Sequence, residues 1–124
     1  MQISTADLLA AKPVSAHDIA VMIAQLGDRI SDGVTVLDEL LRARYDAEEA
    51  YSTALEKSRL SAPHVMLTDR RSAAKVETAD LLHEVNQAKA LLHHAENLQR
   101  AMEAKLSGYQ TIAKLHIAAY GAAG

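Results

Sequence analysis

The feature that most constrains this chain is an apolar pattern of helical period on both sides of Pro63. Apolar side chains recur in steps of three and four, which is the spacing of one face of an α-helix. Before the proline, the row consists of Ile19, Ile23, Leu26, Ile30, Leu37, Leu40, Ala47, Tyr51 and Ala54, and its two skipped positions hold Gly33 and Arg44. After the proline, it consists of Leu81, Val85, Ala88, Leu92, Ala95, Gln99, Met102, Leu106, Tyr109 and Ala113. The pattern predicts two long amphipathic helices, each of which needs a neighbour to cover its apolar side.

Local signals place the ends of these helices. Ser15 is a favourable N-cap, so the first helix is predicted over residues 15–60. Pro63 lacks a backbone donor and disfavours helical geometry in the residue before it, which predicts a turn there. Thr68 caps the second helix, predicted over residues 68–117. The chain is therefore expected to be all-α, folded back into a long antiparallel helical hairpin of coiled-coil type.

Two further features concern the first part of the chain, and a third concerns its length. Gly27 and Gly33 each cost about 1 kcal/mol relative to Ala inside a helix, so a kink between residues 27 and 33 and an unbroken helix both stay open. A short N-terminal helix is predicted over residues 5–11, ending before Pro13. With 124 residues, the chain is expected to form a single helical domain, residues 1–124, with residues 1–14 as its N-terminal segment.

A third apolar row runs beside each helical row. A coil of two helices needs only a narrow stripe, so the extra rows predict helices with more than one neighbour. We therefore expect the chain to form a homo-oligomer, for example two hairpins in a four-helix bundle. The interface candidates are Val34, Leu41, Leu91, Leu98 and Ile112, together with the polar Gln99 within the second row.

Arg44 is the charged residue in the first helical row. If both helices are regular and fold about Pro63, positions whose numbers add to roughly 128 face each other, because antiparallel neighbours advance by equal rise. Arg44 would then lie near Glu84. Two interpretations stay open: either this pair sets the register of the hairpin, or Arg44 lays its stem over apolar surface with its head group in water.

Residues that could carry chemistry are few. The absence of Cys excludes disulfides, Cys-ligated zinc and a thiol nucleophile. Among the six histidines, His93 and His94 with Glu96 come nearest to a metal motif, but they lie beside the helical row, and the first helix has no matching set. The spacing of Asp38 to Arg42, like that of Glu96 to Arg100, is typical of ion pairs on a solvated helix surface. We therefore expect no enzyme activity, no metal and no cofactor.

Charge and hydropathy narrow the class of partner. The net charge is −3, and no cluster of basic residues exceeds Arg70 and Arg71, which argues against nucleic acid as a partner. No stretch approaches the roughly 18 uninterrupted apolar residues of a membrane span, and the first residues lack the pattern of a signal peptide. The expected partners are therefore further copies of the chain and an unidentified protein.

Three parts of the chain carry a resemblance to a known group of proteins. The stretch Ala47-Glu48-Glu49-Ala50-Tyr51, the short proline turn, and the ending from Leu98-Gln99-Arg100-Ala101-Met102 to Tyr109-Gln110-Thr111-Ile112 carry the likeness. In style, residues 40–115 are similar to small helical-hairpin proteins encoded by bacteriophages of high-GC actinobacterial hosts. The resemblance implies a phage origin, with the protein in the cytoplasm of a bacterial host or in a phage particle. It implies no functional residues.

These observations lead to one expected function and two alternatives. We expect a non-enzymatic protein–protein interaction or assembly protein that acts through a self-associating hairpin, as a phage structural or host-modulating factor. One alternative is a small-ligand or nucleotide-binding oligomer, whose site lies near residues 27–33 where free amides of a broken helix could meet an anion. The other is a metal-dependent enzyme that uses the His and Glu side chains.

Overall fold

A computed structural model describes residues 15–61 and 67–123 of the chain, with side chains for residues 15–61 and 69–120. Its elements are three helices, which we call α1 (Ala16–Leu60), α2 (Leu67–Glu77) and α3 (Ala79–Ala123), and the described residues contain no strand. The prediction of an all-α protein is confirmed. The predicted turn at Pro63 and the predicted short helix over residues 5–11 lie outside the described residues.

Helix α1 begins at the predicted cap and continues through both glycines. The Asp18 amide donates to the Ser15 hydroxyl oxygen at 3.1 Å, and the Ile19 amide donates to the Ser15 carbonyl at 3.1 Å. These bonds satisfy amides that a helix start leaves without partners inside the helix. Of the two outcomes left open for Gly27 and Gly33, the structure has the continuous helix, which runs from Ala16 to Leu60.

The second long helix, predicted as one element over residues 68–117, is divided at Thr78 into α2 and α3. Thr78 is buried, and its hydroxyl donates to the Ala74 carbonyl at 2.6 Å. The same carbonyl accepts the Thr78 amide at 3.1 Å, so helical hydrogen bonding carries on through this residue. A threonine hydroxyl bonded to the carbonyl four residues back often bends a helix, which accounts for the interruption. Helix α3 also extends past the predicted end, to Ala123.

Contacts divide the described residues into two compact units. The first unit consists of residues 15–30 of the first part of the chain and residues 102–123 of the last part. Its buried apolar residues are Ile19 and Leu26 on α1. On α3, this unit contributes half-buried residues with helical spacing, namely Met102, Leu106, Tyr109, Ala113 and His116.

The second unit consists of residues 31–61 and 67–101. Its buried residues are Ala74, Val85 and Leu92, with the polar Thr78 and Gln99. Three of these, Val85, Leu92 and Gln99, follow one another at intervals of seven, as predicted for a helical row. The core is thin, because few large side chains in this unit are buried, and much apolar surface stays outside it.

Candidate functional site

A buried polar contact lies between the two long helices in the second unit. Gln99 of α3 is only 6% exposed and lies against Gly33 of α1. A Cβ atom added at Gly33 would lie 2.9 Å from Cδ and 3.2 Å from Nε2 of Gln99, which is closer than side chains pack. Gly33 therefore leaves room for the Gln99 carboxamide. Gln99, predicted as a register or interface candidate, lies inside the unit, and the contribution of Gly33 was missed because its sequence signal indicated only a weak helix.

The contact also corrects the predicted register. Pairing about Pro63 would place Ala95 opposite Gly33, whereas the structure places Gln99 there, four residues or about one turn further along α3. The face of a helix repeats after three or four residues, so a shift of one turn brings the same apolar rows together. The apolar pattern does not distinguish between these two registers, and the contact between Gly33 and Gln99 does.

Three charged side chains form a layer on the surface of the second unit, called here the charged layer: Arg44, Glu48 and Lys89. Arg44 Nε donates to Glu48 Oε1 at 3.0 Å, and Lys89 Nζ lies 4.0 Å from the same oxygen. Each side chain is between a third and a half exposed. Glu48 therefore joins a cation of its own helix to a cation of α3.

The predicted pair of Arg44 with Glu84 is corrected by this layer. The ion pair of Arg44 is with Glu48, and Glu84 is an exposed residue of α3. Glu48 lies four residues from Arg44 on the same helix, a spacing that brings the two side chains together without help from the second helix. The predicted pair with Glu84 required a particular register of the two helices, whereas the observed pair with Glu48 lies within one helix.

Most of the predicted interface residues are exposed. Leu91 and Leu98 of the second unit are 57% and 51% exposed, and they lie seven residues apart on one side of α3. Val34 is also exposed, while Leu41 is half-buried beside a shallow groove of about 240 Å³. In the first unit, Ile112 is exposed as well. We call Leu91 and Leu98 the leucine row.

A larger groove lies in the first unit, between the beginning of α1 and the end of α3. It has a volume of about 590 Å³ and is called here the end groove. Two aromatic rings line it, those of His116 and Tyr120, with centroids 6.0 Å apart, and its other lining side chains are aliphatic. Its lining residues are Ala16, Ile19, Ala20, Ile23, Ala113, His116, Ile117 and Tyr120.

The end groove was not predicted, although the sequence holds a signal for it. Ala113, His116, Ile117 and Tyr120 have the spacing of one helix face, and they extend the second helical row beyond the end that was assigned to it. The residues of α1 that line the groove belong to the predicted first row. Had the helical period been followed to Tyr120, the sequence would have predicted apolar side chains both at the beginning of α1 and at the end of α3.

His93, next to the leucine row, takes part in a surface contact. His93 Nε2 lies 3.3 Å from Asn97 Nδ2, and Glu96 forms an ion pair with Arg100 at 3.6 Å. The other predicted surface pair, Asp38 with Arg42, is present at 3.2 Å, so both predicted pairs are confirmed. In the part of the chain that the structure describes, no three His, Asp or Glu side chains come together as a metal site requires.

The anion site that was considered near residues 27–33 depended on a broken helix. Helix α1 passes through these residues without a break, so the amides that would meet an anion are engaged in the helix. None of the helices, over the residues described, holds a stretch long and apolar enough to cross a membrane. Comparison of the chain with protein-family models, with curated proteins and with solved structures gave no match.

Proposed function

We propose that this chain is a non-enzymatic protein–protein interaction or assembly protein, which folds as an antiparallel helical hairpin and associates with further copies into a helix bundle. Contacts in the second unit support the antiparallel arrangement. Gly33 meets Gln99, Glu48 meets Lys89, and Ser58 bonds to Glu77. As the residue number on α1 rises from 33 to 48 to 58, the residue number of the partner falls from 99 to 89 to 77. An antiparallel pairing requires this order.

The observation that carries the proposal is the leucine row. Leu91 and Leu98 each precede a buried residue, Leu92 and Gln99, so α3 presents apolar side chains both towards α1 and about 100° away from it. Burying an exposed leucine is worth roughly 1.5–3 kcal/mol, and the thin core of a single chain leaves this surface in water. A second copy that packs its own leucine row against the first would cover both rows in one symmetric contact.

The biological setting that we propose follows from the resemblance of residues 40–115 to small hairpin proteins of actinobacterial phages. In that setting, the bundle acts as a structural component of a phage particle or as a factor that binds a host protein in the bacterial cytoplasm. The partner in the second case is a protein that recognises a helix face. The charged layer on the surface of the second unit offers polar contacts to such a partner.

Sedimentation velocity on the full chain tests self-association. We expect an oligomer at micromolar concentration, and at least a tenfold weaker association for Leu91→Asp/Leu98→Asp, because each Asp would place a charge inside the interface. The matched control is Val76→Asp/Leu115→Asp, which adds the same charge at residues that are 78% and 65% exposed and lie outside the leucine row.

Circular dichroism has to report the same helix content for both double variants. A monomeric unmodified chain at all concentrations would refute the proposal. Equal weakening by the two double variants would show that added charge, and not the loss of the leucine row, opposes association.

A further inference from the structure

Two opposite charges lie on either side of the leucine row along α3, which runs unbroken from Ala79 to Ala123. Glu84 lies seven residues before Leu91. Lys105 lies seven residues after Leu98. Seven residues make almost two full turns, so these four side chains share one side of the helix. Glu84 and Lys105 are both exposed, and neither forms an ion pair with another described residue.

We propose that two copies of α3 pair antiparallel along the leucine row. Leu91 of each copy then packs against Leu98 of the other copy. Each Glu84 lies beside the Lys105 of the other copy. This orientation rests on the self-association proposed above, and it adds the register of the contact and the charges that select it.

The spacing of the four residues suits a twofold axis. In a twofold contact, residue i meets residue j of the second copy, and j meets i. Facing residues of antiparallel helices share one midpoint, because both helices advance by the same rise. The midpoint of Leu91 and Leu98 falls between residues 94 and 95, and so does the midpoint of Glu84 and Lys105. A single axis at this point therefore serves the leucines and the charges together.

The charges distinguish the antiparallel pairing from a parallel one. In a parallel pair at the same register, each leucine would meet its own counterpart, so the leucines favour neither orientation. Glu84 would then face Glu84 and Lys105 would face Lys105, which places like charges together at both ends of the row. Charges beside an apolar row set the orientation of paired helices. Attraction at both ends therefore favours the antiparallel pair.

The paired stretch has defined ends. It covers residues 84–105 of each copy, which is about 32 Å of helix at about 1.5 Å per residue. Seven residues before Glu84 lies Glu77, which belongs to α2 and is bonded to Ser58. Seven residues after Lys105 lies Ile112, which would face Glu77 and gains no apolar contact there. The contact therefore ends with the two charges.

Charge reversal tests the pairing by sedimentation velocity on the full chain, at about 50 mM salt to limit screening. Glu84→Lys places like charges at both ends of the contact, and so does Lys105→Glu. Each is expected to raise the Kd of self-association roughly threefold to tenfold, because exposed ion pairs contribute modestly. Glu84→Lys/Lys105→Glu exchanges the charges and restores the attraction, so its Kd is expected to return to within about twofold of the unmodified value.

The matched controls are Glu103→Lys and Lys114→Glu. They make the same changes of net charge at exposed residues on the far side of α3 from the leucine row. Both are expected to leave the Kd unchanged. Circular dichroism checks that every variant keeps the helix content of the unmodified chain.

Cysteine cross-linking measures the orientation directly, because the chain has no Cys of its own. Gln87 and Ala101 are exposed, lie on one flank of the leucine row, and have their midpoint at residue 94, next to the proposed axis. An equimolar mixture of Gln87→Cys and Ala101→Cys is oxidised, and the products are identified by mass. The mixed disulfide is expected to dominate, because a disulfide requires its two Cα atoms to lie close together.

Three results would overturn the antiparallel pairing. The first is a majority of disulfides between two copies of the same variant, which would indicate parallel helices. The second is an unchanged Kd in both single reversals, and the third is a double reversal that associates as weakly as the single ones. In these cases the unmodified chain still associates, so the proposed function stands. A monomeric unmodified chain would refute the proposed function and this pairing together.

Discussion

The carboxamide of Gln99 fills the space that a side chain at Gly33 would need. The contact joins a glycine on α1 to a buried polar residue on α3, and so it ties the two helices at one register. A buried polar group in an apolar row costs stability unless it is satisfied, and such groups are known to specify register in coiled coils. We interpret this pair as the register contact of the second unit, a role that the sequence had suggested for Arg44 and Glu84.

Alanine substitutions at the glycines test this interpretation. Gly27 has open space around it, so Gly27→Ala is expected to raise the free energy of unfolding by about 0.5–1 kcal/mol through helix propensity alone. Gly33→Ala is expected to lower it by about 1 kcal/mol instead, because displacing the buried Gln99 amide costs more than the propensity gain. Urea denaturation of the two variants measures the difference.

The matched control for the first prediction is the double variant Gly33→Ala/Gln99→Ala. With the carboxamide removed, Gly33→Ala is expected to become stabilising, as it is at Gly27, by about 0.5–1 kcal/mol relative to Gln99→Ala. Equal gains from alanine at positions 27 and 33 in the unmodified chain would contradict the assignment of Gln99 as the obstacle.

A second prediction uses the neighbouring leucines of α3. Leu92 is 5% exposed and Leu91 is 57% exposed, although the two are the same residue type on the same turn. Leu92→Ala is expected to lower the free energy of unfolding by about 2–4 kcal/mol, because it leaves a cavity in the core. Leu91→Ala is expected to change it by less than about 0.5 kcal/mol when measured in dilute solution, below the concentration for association. Comparable losses from both variants in dilute solution would mean that α3 is rotated.

A third prediction concerns the charged layer. Glu48 is shared by Arg44 and Lys89, whereas Asp38 pairs with Arg42 on an exposed face. Glu48→Gln is expected to lower the free energy of unfolding by about 0.5–1 kcal/mol, and Asp38→Asn by about 0.3 kcal/mol, since exposed ion pairs contribute little. Denaturation curves at about 50 mM and about 1 M salt test whether this difference is electrostatic. Screening at high salt should make the losses of free energy of unfolding in the two variants nearly equal. If the two variants still differ in free energy of unfolding at high salt, the contribution of Glu48 is not electrostatic.

Local interactions could be predicted from the sequence because they depend on residues within one or two turns. The apolar period predicted α1 and most of α3, and Ser15 predicted the start of α1. The pairs of Asp38 with Arg42 and of Glu96 with Arg100 follow from a spacing of four, which places side chains together on any regular helix. The period also placed Leu92 in the second helical row, and this residue is buried.

Only the tertiary structure decided the features that depend on how the helices meet. Registers that differ by one turn bury the same apolar rows, so the choice depends on a contact between distant residues, Gly33 and Gln99. The division at Thr78 likewise needs a buried hydroxyl that bonds to Ala74, and the spacing of residues does not reveal whether a threonine is buried. The end groove arises where residues nearly a hundred positions apart come together. Spacing along one helix determines which side chains share a face, and packing between helices determines what that face meets.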